Sequence, residues 1–192
     1  SVAHSSATYE QAIMAFERGI SNSTHTYNAM TGLHHRKPGI VGAVMQSPQV
    51  TAELIADNIH VHPAAMNTLY QIKGAENIVL ITDSIRAAGM PDGEYTVDDR
   101  TMIVKNGECR LPSGTLAGSI IRMNQALKNF QQATGAPLED LTRTVSLNPA
   151  RIVGVASHKG KLASGYDADF VLLDDDMNVK FTVVMGKIVY RA

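Results

Sequence analysis

Four polar residues close short runs in the first half of the chain: His4 after Ser-Val-Ala, His25 after Asn-Ser-Thr, His60 just beyond Ala-Glu-Leu-Ile-Ala, and Asp83 after Ile-Val-Leu-Ile-Thr. The gaps between them are 21, 35 and 23 residues. Each gap approximates one strand and one helix, the eight-fold barrel average being about 31 residues per unit. Residues at successive strand ends converge on one point of a parallel sheet even when far apart in sequence. Neutral imidazoles suit zinc or ferrous iron, and a nearby carboxylate can take the proton of a water whose pKa the ion lowers. The chemistry expected is attack of water on a polarised carbonyl, with Asp83 acting first as base and then as acid. Singly, each histidine also reads as a hydrogen-bonded residue and Asp83 as a helix cap. Their order and shared position favour a site.

The elements that must carry them are legible from periodicity. Thr8 and Gln11 form a capping box, and Tyr9, Ala12, Ile13 and Phe16 recur at helical spacing until Gly19. The stretch from Asn28 to Gly42 is loop-like and holds His34-His35-Arg36-Lys37-Pro38-Gly39, which reads either as a guanidinium grip on phosphate or as a solvated turn. Thr51 to Ala56 is a strand, Pro63 and Gly74 bracket a helix, and Asn77 to Thr82 is a strand buried on both faces. Asn106-Gly107 predicts a two-residue hairpin turn. Helices follow over 119–133, 137–145 and 149–155, so that Ser113 to Ser119 is a glycine-rich helix entry whose amides either bind a ligand oxygen or merely turn the chain. Strands return over 170–173, 180–185 and 187–190, with a tight turn at Met185-Gly186. His62 reads as structural and His158 as a surface residue.

A formal charge of −1 and a pI near 6.6 argue against nucleic acid, and no apolar window is long enough for a membrane span. Hydrophobic residues make up 44% of the chain, ample for a packed core. The lone Cys109 excludes an intrachain disulfide or thiolate cluster and suits a reducing cytoplasm.

Several motifs carry a family resemblance. They are Ala-His-Ser-Ser-Ala-Thr at 3–8, Thr-His-Thr-Tyr-Asn-Ala-Met at 24–30, His-Arg-Lys-Pro-Gly at 35–39, Ile-Ala-Asp-Asn-Ile-His-Val at 55–61, Thr-Asp-Ser at 82–84 and Gly-Thr-Leu-Ala-Gly-Ser at 114–119. Together they resemble the N-acetylglucosamine-6-phosphate deacetylases of the amidohydrolase superfamily. Asn-Pro-Ala-Arg at 148–151 and the run from Gly160 to Phe170 resemble the superfamily's closing helix and its return into a small β-sandwich. The resemblance implies an α/β fold, the C-terminal half of a TIM-like (β/α)8 barrel (strands five to eight) over residues 1–158, with a β-hairpin insertion near 93–112. Residues 159–192 would be strands of the small β-sandwich.

It also implies roles. His4 and His25 match two metal ligands, on strands five and six, and Asp83 the catalytic acid/base on strand eight. Asn28 and Ala29 match the segment holding the sugar phosphate, and Arg36 an arginine reaching the phosphate in the neighbouring subunit of a homodimer. His60 matches a residue contacting the sugar, and Leu116, Ala117 and Gly118 the loop beside the acetamido group. The implied reaction hydrolyses N-acetylglucosamine 6-phosphate to glucosamine 6-phosphate and acetate, with one or two divalent ions. Ala3 stands where the family has glycine. The family's glutamate ligand lies on strands that would precede Ser1, so we expect a fragment that is inactive alone. A different amidohydrolase substrate, or a non-catalytic half barrel, remains an alternative.

Overall fold

The structure, a computed structural model, describes residues 1–97 and 99–192. Its first unit is parallel. Strands β1 (Asn22–Ser23), β2 (Thr51–Ile55) and β3 (Ile78–Ile81) lie in that order, Val2 adds a parallel bridge to Ser23 outside β1, and Ser84 bridges Ser119 beyond β3. Helices α1 (Tyr9–Glu17), α2 (Gly39–Gln46) and α3 (Pro63–Lys73) make the crossovers. The Thr8–Gln11 capping box starts α1 as expected, and Ala12 and Phe16 are its buried face. His62 is indeed structural: it caps α3 by accepting the Ala64 amide at Nδ1 (3.1 Å) behind Pro63 at the first helical position.

Helix α2 corrects the expectation of a loop from Asn28 to Gly42. No capping signal adjoins it because the cap comes from eight residues upstream. Thr31 Oγ1 accepts the Ile40 amide (2.8 Å) while donating to the Ala7 carbonyl (2.7 Å), tying the helix to the segment after His4. Its glycines serve close approach. A Cβ on Gly39, where φ is +62°, would sit 2.6 Å from the Thr31 carbonyl oxygen, and one on Gly42 would sit 2.5 Å from Pro38 Cβ. At its far end, the Lys73 ammonium donates to the Val44 and Ser47 carbonyls, and burial pushes its pKa down to about 8.

The core lies between sheet and helices, with Ile40, Leu54, Met66, Leu69, Ile78 and Leu80 almost fully buried. Helix α4 (Met123–Thr134) adds Phe130, whose ring meets Tyr70 edge-on at 6.0 Å. Two buried amides lock helices to strand termini. Asn129 donates to Ala56 O, and Asn148, on α6 (Leu147–Ile152) after the short α5 (Leu138–Leu141), donates to Ala75 O and Ile78 O.

The Asn106-Gly107 hairpin forms with both residues at positive φ, joining β5 (Arg100–Lys105) to β6 (Glu108–Arg110), and β4 (Gly93–Val97) makes it a three-stranded meander. Asp98, inside the expected insertion, lies outside the described residues. Cys109 is buried against Val104 and Ala87. A last antiparallel sheet comprises β7 (Phe170–Leu173), β8 (Val179–Val184) and β9 (Lys187–Arg191), with the Met185-Gly186 turn as expected. No helix among the described residues is long and apolar enough to cross a membrane.

Gly39→Ala should lower unfolding free energy by about 2–4 kcal/mol, combining overpacking with a left-handed backbone. A urea titration with an unchanged midpoint would refute this account of the turn.

Candidate active site

Because the strands run parallel, His4, His25, His60 and Asp83 all follow the carboxyl ends of neighbouring strands or bridges. His4 and His25 come together with ring centroids 4.7 Å apart and planes at 79°. Backbone bonds hold His25 on both sides. Thr24 N donates to Val2 O (2.9 Å), and Thr26 N to Glu53 O (2.8 Å). His4 is exposed and His25 is 6% exposed.

His25 Nδ1 is buried without a hydrogen-bond partner among the described residues. A buried imidazole nitrogen left unpaired carries a desolvation cost, which a bound cation would remove. The pair therefore fits a borderline-soft divalent ion as two nitrogen ligands. No group of three or more His, Cys, Asp or Glu that could hold an ion occurs among the described residues.

His4 (φ 43°), His25 (φ 31°) and Asp83 (φ 46°) all have left-handed backbones, as do Tyr27 and Ala29. Each costs a non-glycine residue roughly 1–2 kcal/mol, and such strain concentrates at functional sites. Asp83 is exposed on a segment held from beyond: Ser119 N donates to Asp83 O (2.9 Å), Ile85 N to Ser119 O (3.1 Å), and the Ser119 hydroxyl to Thr82 O. Gly118 packs into this crossing. A Cβ there would meet Asp83 O at 2.9 Å and Ile85 Cγ2 at 2.7 Å.

The expectation of a helix from Ser119 is thereby corrected. The chain stays extended to form the Ser84–Ser119 bridge, and α4 starts only at Met123. The preceding amides do not form a helix entry. Gly114 N donates to Leu111 O, Ala117 N donates to Cys109 O, and Leu116 bridges Arg110.

Asn28 folds back on the His25 segment, its amide and side chain both donating to His25 O. Ala29 lines a cavity of about 580 Å³ with His4, Ser5, Ser6, Met30 and Thr31. Arg36 does not line it. It faces an adjoining cavity of about 360 Å³ that shares Ser6 and Thr31, and its Nη1 lies 2.6 Å from His35 Nε2. His158 is exposed beside Ser157.

His60 is set apart from the His4–His25 pair by its partner Asp57, which sequence reasoning passed over. Asp57 Oδ2 lies 2.6 Å from His60 Nδ1, and Oδ1 accepts the Ile59 (2.9 Å) and His60 (2.8 Å) amides. Both side chains are more than nine-tenths buried. Burial of Asp57 opposes its ionisation, but the bonds from the His60 ring and the two amides outweigh it and hold the carboxyl below its usual range. The signal was present in the Asp-x-x-His spacing, which returns a ring to a turn's own acceptor. Tyr27 donates to Ala65 O (3.0 Å), and burial pushes its phenol up to about 12.

The amidohydrolase family model matches residues 1–189. The chain belongs to the amidohydrolase family. This amidohydrolase chain is 44% identical over 188 residues to the N-acetylglucosamine-6-phosphate deacetylase of Lysinibacillus sphaericus, covering 98% of this chain and 48% of that protein. It is 43% identical to the N-acetylgalactosamine-6-phosphate deacetylase of Escherichia coli O157:H7, covering 96% of this chain and 49% of the other. The solved N-acetylglucosamine-6-phosphate deacetylase of Thermotoga maritima superposes with a TM-score of 0.95 at 41% identity, over 100% of this chain and 53% of that one. The chain spans about half the length of these relatives. It shares their α/β fold.

Asp57→Ala should cost about 1–3 kcal/mol at pH 7 by stranding the two amides and the ring. Because the folded carboxyl titrates below the unfolded value of about 3.9, its contribution is full above that value and is lost as pH falls through the folded one. Urea titrations of wild type and variant should therefore draw closer in strong acid without meeting, since the neutral carboxyl still accepts the two amides; a difference that does not change with pH would refute the ionic account.

Proposed function

We propose that the whole protein of which this chain forms part is a metal-dependent deacetylase acting on N-acetylglucosamine 6-phosphate, yielding glucosamine 6-phosphate and acetate in amino-sugar breakdown. The observation that carries the reading is the His4–His25 pair, left-handed and in ring contact at adjacent strand ends, with Nδ1 of His25 lacking a partner among the described residues. The likeness to deacetylases over nearly the whole chain supports the substrate. In this reading residues 1–158 are strands five to eight of a (β/α)8 barrel with an insertion near 93–112, and 159–192 belong to a small β-sandwich. The parallel order and its two flanking bridges support that assignment.

His4 and His25 would hold one or two divalent ions, zinc or ferrous iron, with a glutamate from outside this chain's span. When bound, such an ion supplies Lewis acidity toward the amide carbonyl and the attacking water. The Asp83 carboxylate takes a proton from that water and delivers it to the departing amine nitrogen. Gly118 leaves room for Asp83, and with Leu116 and Ala117 it borders the acetamido group. His60 contacts the sugar, while Asn28 and Ala29 hold the phosphate. Arg36, exposed with Nη1 against the His35 ring, extends to the phosphate in the second subunit of a homodimer. The lone buried Cys109 fits a reducing cytoplasm.

In the full-length polypeptide, Asp83→Asn should lower kcat by about 10²–10⁴-fold with metal content retained, as expected for a lost acid/base. Turnover near wild type would sink the mechanism. Arg36→Ala should raise KM for the phosphorylated substrate while leaving kcat nearly unchanged. Chelation should abolish turnover and zinc or ferrous iron restore it. Assaying the 4-epimeric N-acetylgalactosamine 6-phosphate beside the gluco substrate decides between the two activities named for its relatives; faster turnover of the galacto epimer would overturn the substrate proposed.

A further inference from the structure

The Asp57–His60 pair asks for a reason beyond holding a turn. One carboxylate oxygen, Oδ1, already satisfies the turn by accepting the Ile59 and His60 amides, and Asn58 between them takes a left-handed backbone (φ 65°). An asparagine would do that equally well, since its carbonyl oxygen can accept both amides. The second oxygen, Oδ2, is committed to His60 Nδ1 at 2.6 Å, in a pair whose side chains are only 8% and 6% exposed. An ionised carboxylate only accepts, so the proton between the two groups belongs to the imidazole. In a neutral ring that hydrogen sits on Nδ1 and a lone pair is left on Nε2. Nε2 makes no hydrogen bond among the described residues, yet it is not among the fully buried unpaired atoms. It therefore reaches accessible space.

We propose that Asp57 is a positioning residue that fixes the Nδ1–H tautomer of His60, so that Nε2 meets the substrate as a hydrogen-bond acceptor for a sugar hydroxyl. The inference rests on the reading of His60 as a sugar contact and deepens it by assigning the sense of that contact. A hydroxyl donating to Nε2 keeps its own oxygen free to accept elsewhere, whereas an Nε2–H ring would demand an acceptor. Asp57 thereby selects a ligand that donates at this point.

Asp57→Asn separates the structural role from the tautomeric one. Its carbonyl oxygen must stay on the two backbone amides, so its NH₂ faces His60 Nδ1 and requires that nitrogen to accept. The ring's hydrogen then moves to Nε2. In the full-length polypeptide labelled with ¹⁵N-histidine, and with a His60→Gln variant to assign the signal, wild type should show the Nδ1–H tautomer and Asp57→Asn the Nε2–H tautomer. The unfolding midpoint should change little. Steady-state kinetics with N-acetylglucosamine 6-phosphate should show kcat/KM reduced by about 10- to 100-fold, the range typical of a lost orienting carboxylate, with Asp57→Glu recovering part of it. An Nε2–H or doubly protonated wild type, or the same tautomer in both proteins, overturns the proposal. So does a tautomer switch with unchanged kinetics. A switch in a protein that turns over no amino-sugar phosphate supports the proton assignment and counts against the deacetylase reading instead.

Discussion

Everything at the site depends on parallel backbone pairing that extends one residue past where the strands would otherwise end. Thr24 and Thr26 donate to opposite neighbours, Val2 on one side and Glu53 on the other, and His25 sits between these two anchors. Neighbouring strands lie about 4.8 Å apart, so a residue pinned this way stands one strand-width from its counterpart. Across that gap the His4 and His25 rings meet edge-on with centroids 4.7 Å apart. Ser119 performs the same service for Asp83 from the other edge.

Those bonds oppose a backbone that would otherwise relax. Three residues with chemical potential occupy left-handed conformations, each worth roughly 1–2 kcal/mol against a non-glycine residue. The packing beneath them is rigid enough to hold the strain. Phe130, Ile40, Leu54 and Leu80 fill the layer between sheet and helices, and the amides of Asn129 and Asn148 fasten helices α4 and α6 to strand-terminal carbonyls. A core of this kind lets a short parallel sheet present several side chains in one direction without a long loop to carry any of them.

Much of this was readable in the sequence, for identifiable reasons. The capping box at Thr8, Pro63 before an amphipathic face, and Asn106-Gly107 are local signals whose structural meaning is decided within four residues. Helix α2 was not readable because Thr31 caps it from a distance, and its glycines, which look like loop residues, are demanded by contacts at Thr31 and Pro38. The start of α4 was misplaced for a related reason: Ser119 is claimed by Ser84, a partner no periodicity reveals. At the site, the strand-end order placed His4 beside His25, whereas the clamp at Gly118 and the carboxylate behind His60 emerged only from three-dimensional contact.

The left-handed backbone at these positions also bears on how such a chain can drift over evolutionary time. Under the proposed function a residue there is constrained twice, by its reactive atoms and by a conformation that most side chains resist. Asparagine and glycine are the replacements that relieve the second constraint while forfeiting the first. A descendant that abandons chemistry but keeps the fold would therefore be under physical pressure to accumulate those two residues at positions 4, 25 and 83. Alanine, the usual emblem of a lost side chain, would leave the strain in place with nothing gained. The backbone thus leaves its own mark on which replacements such positions accept.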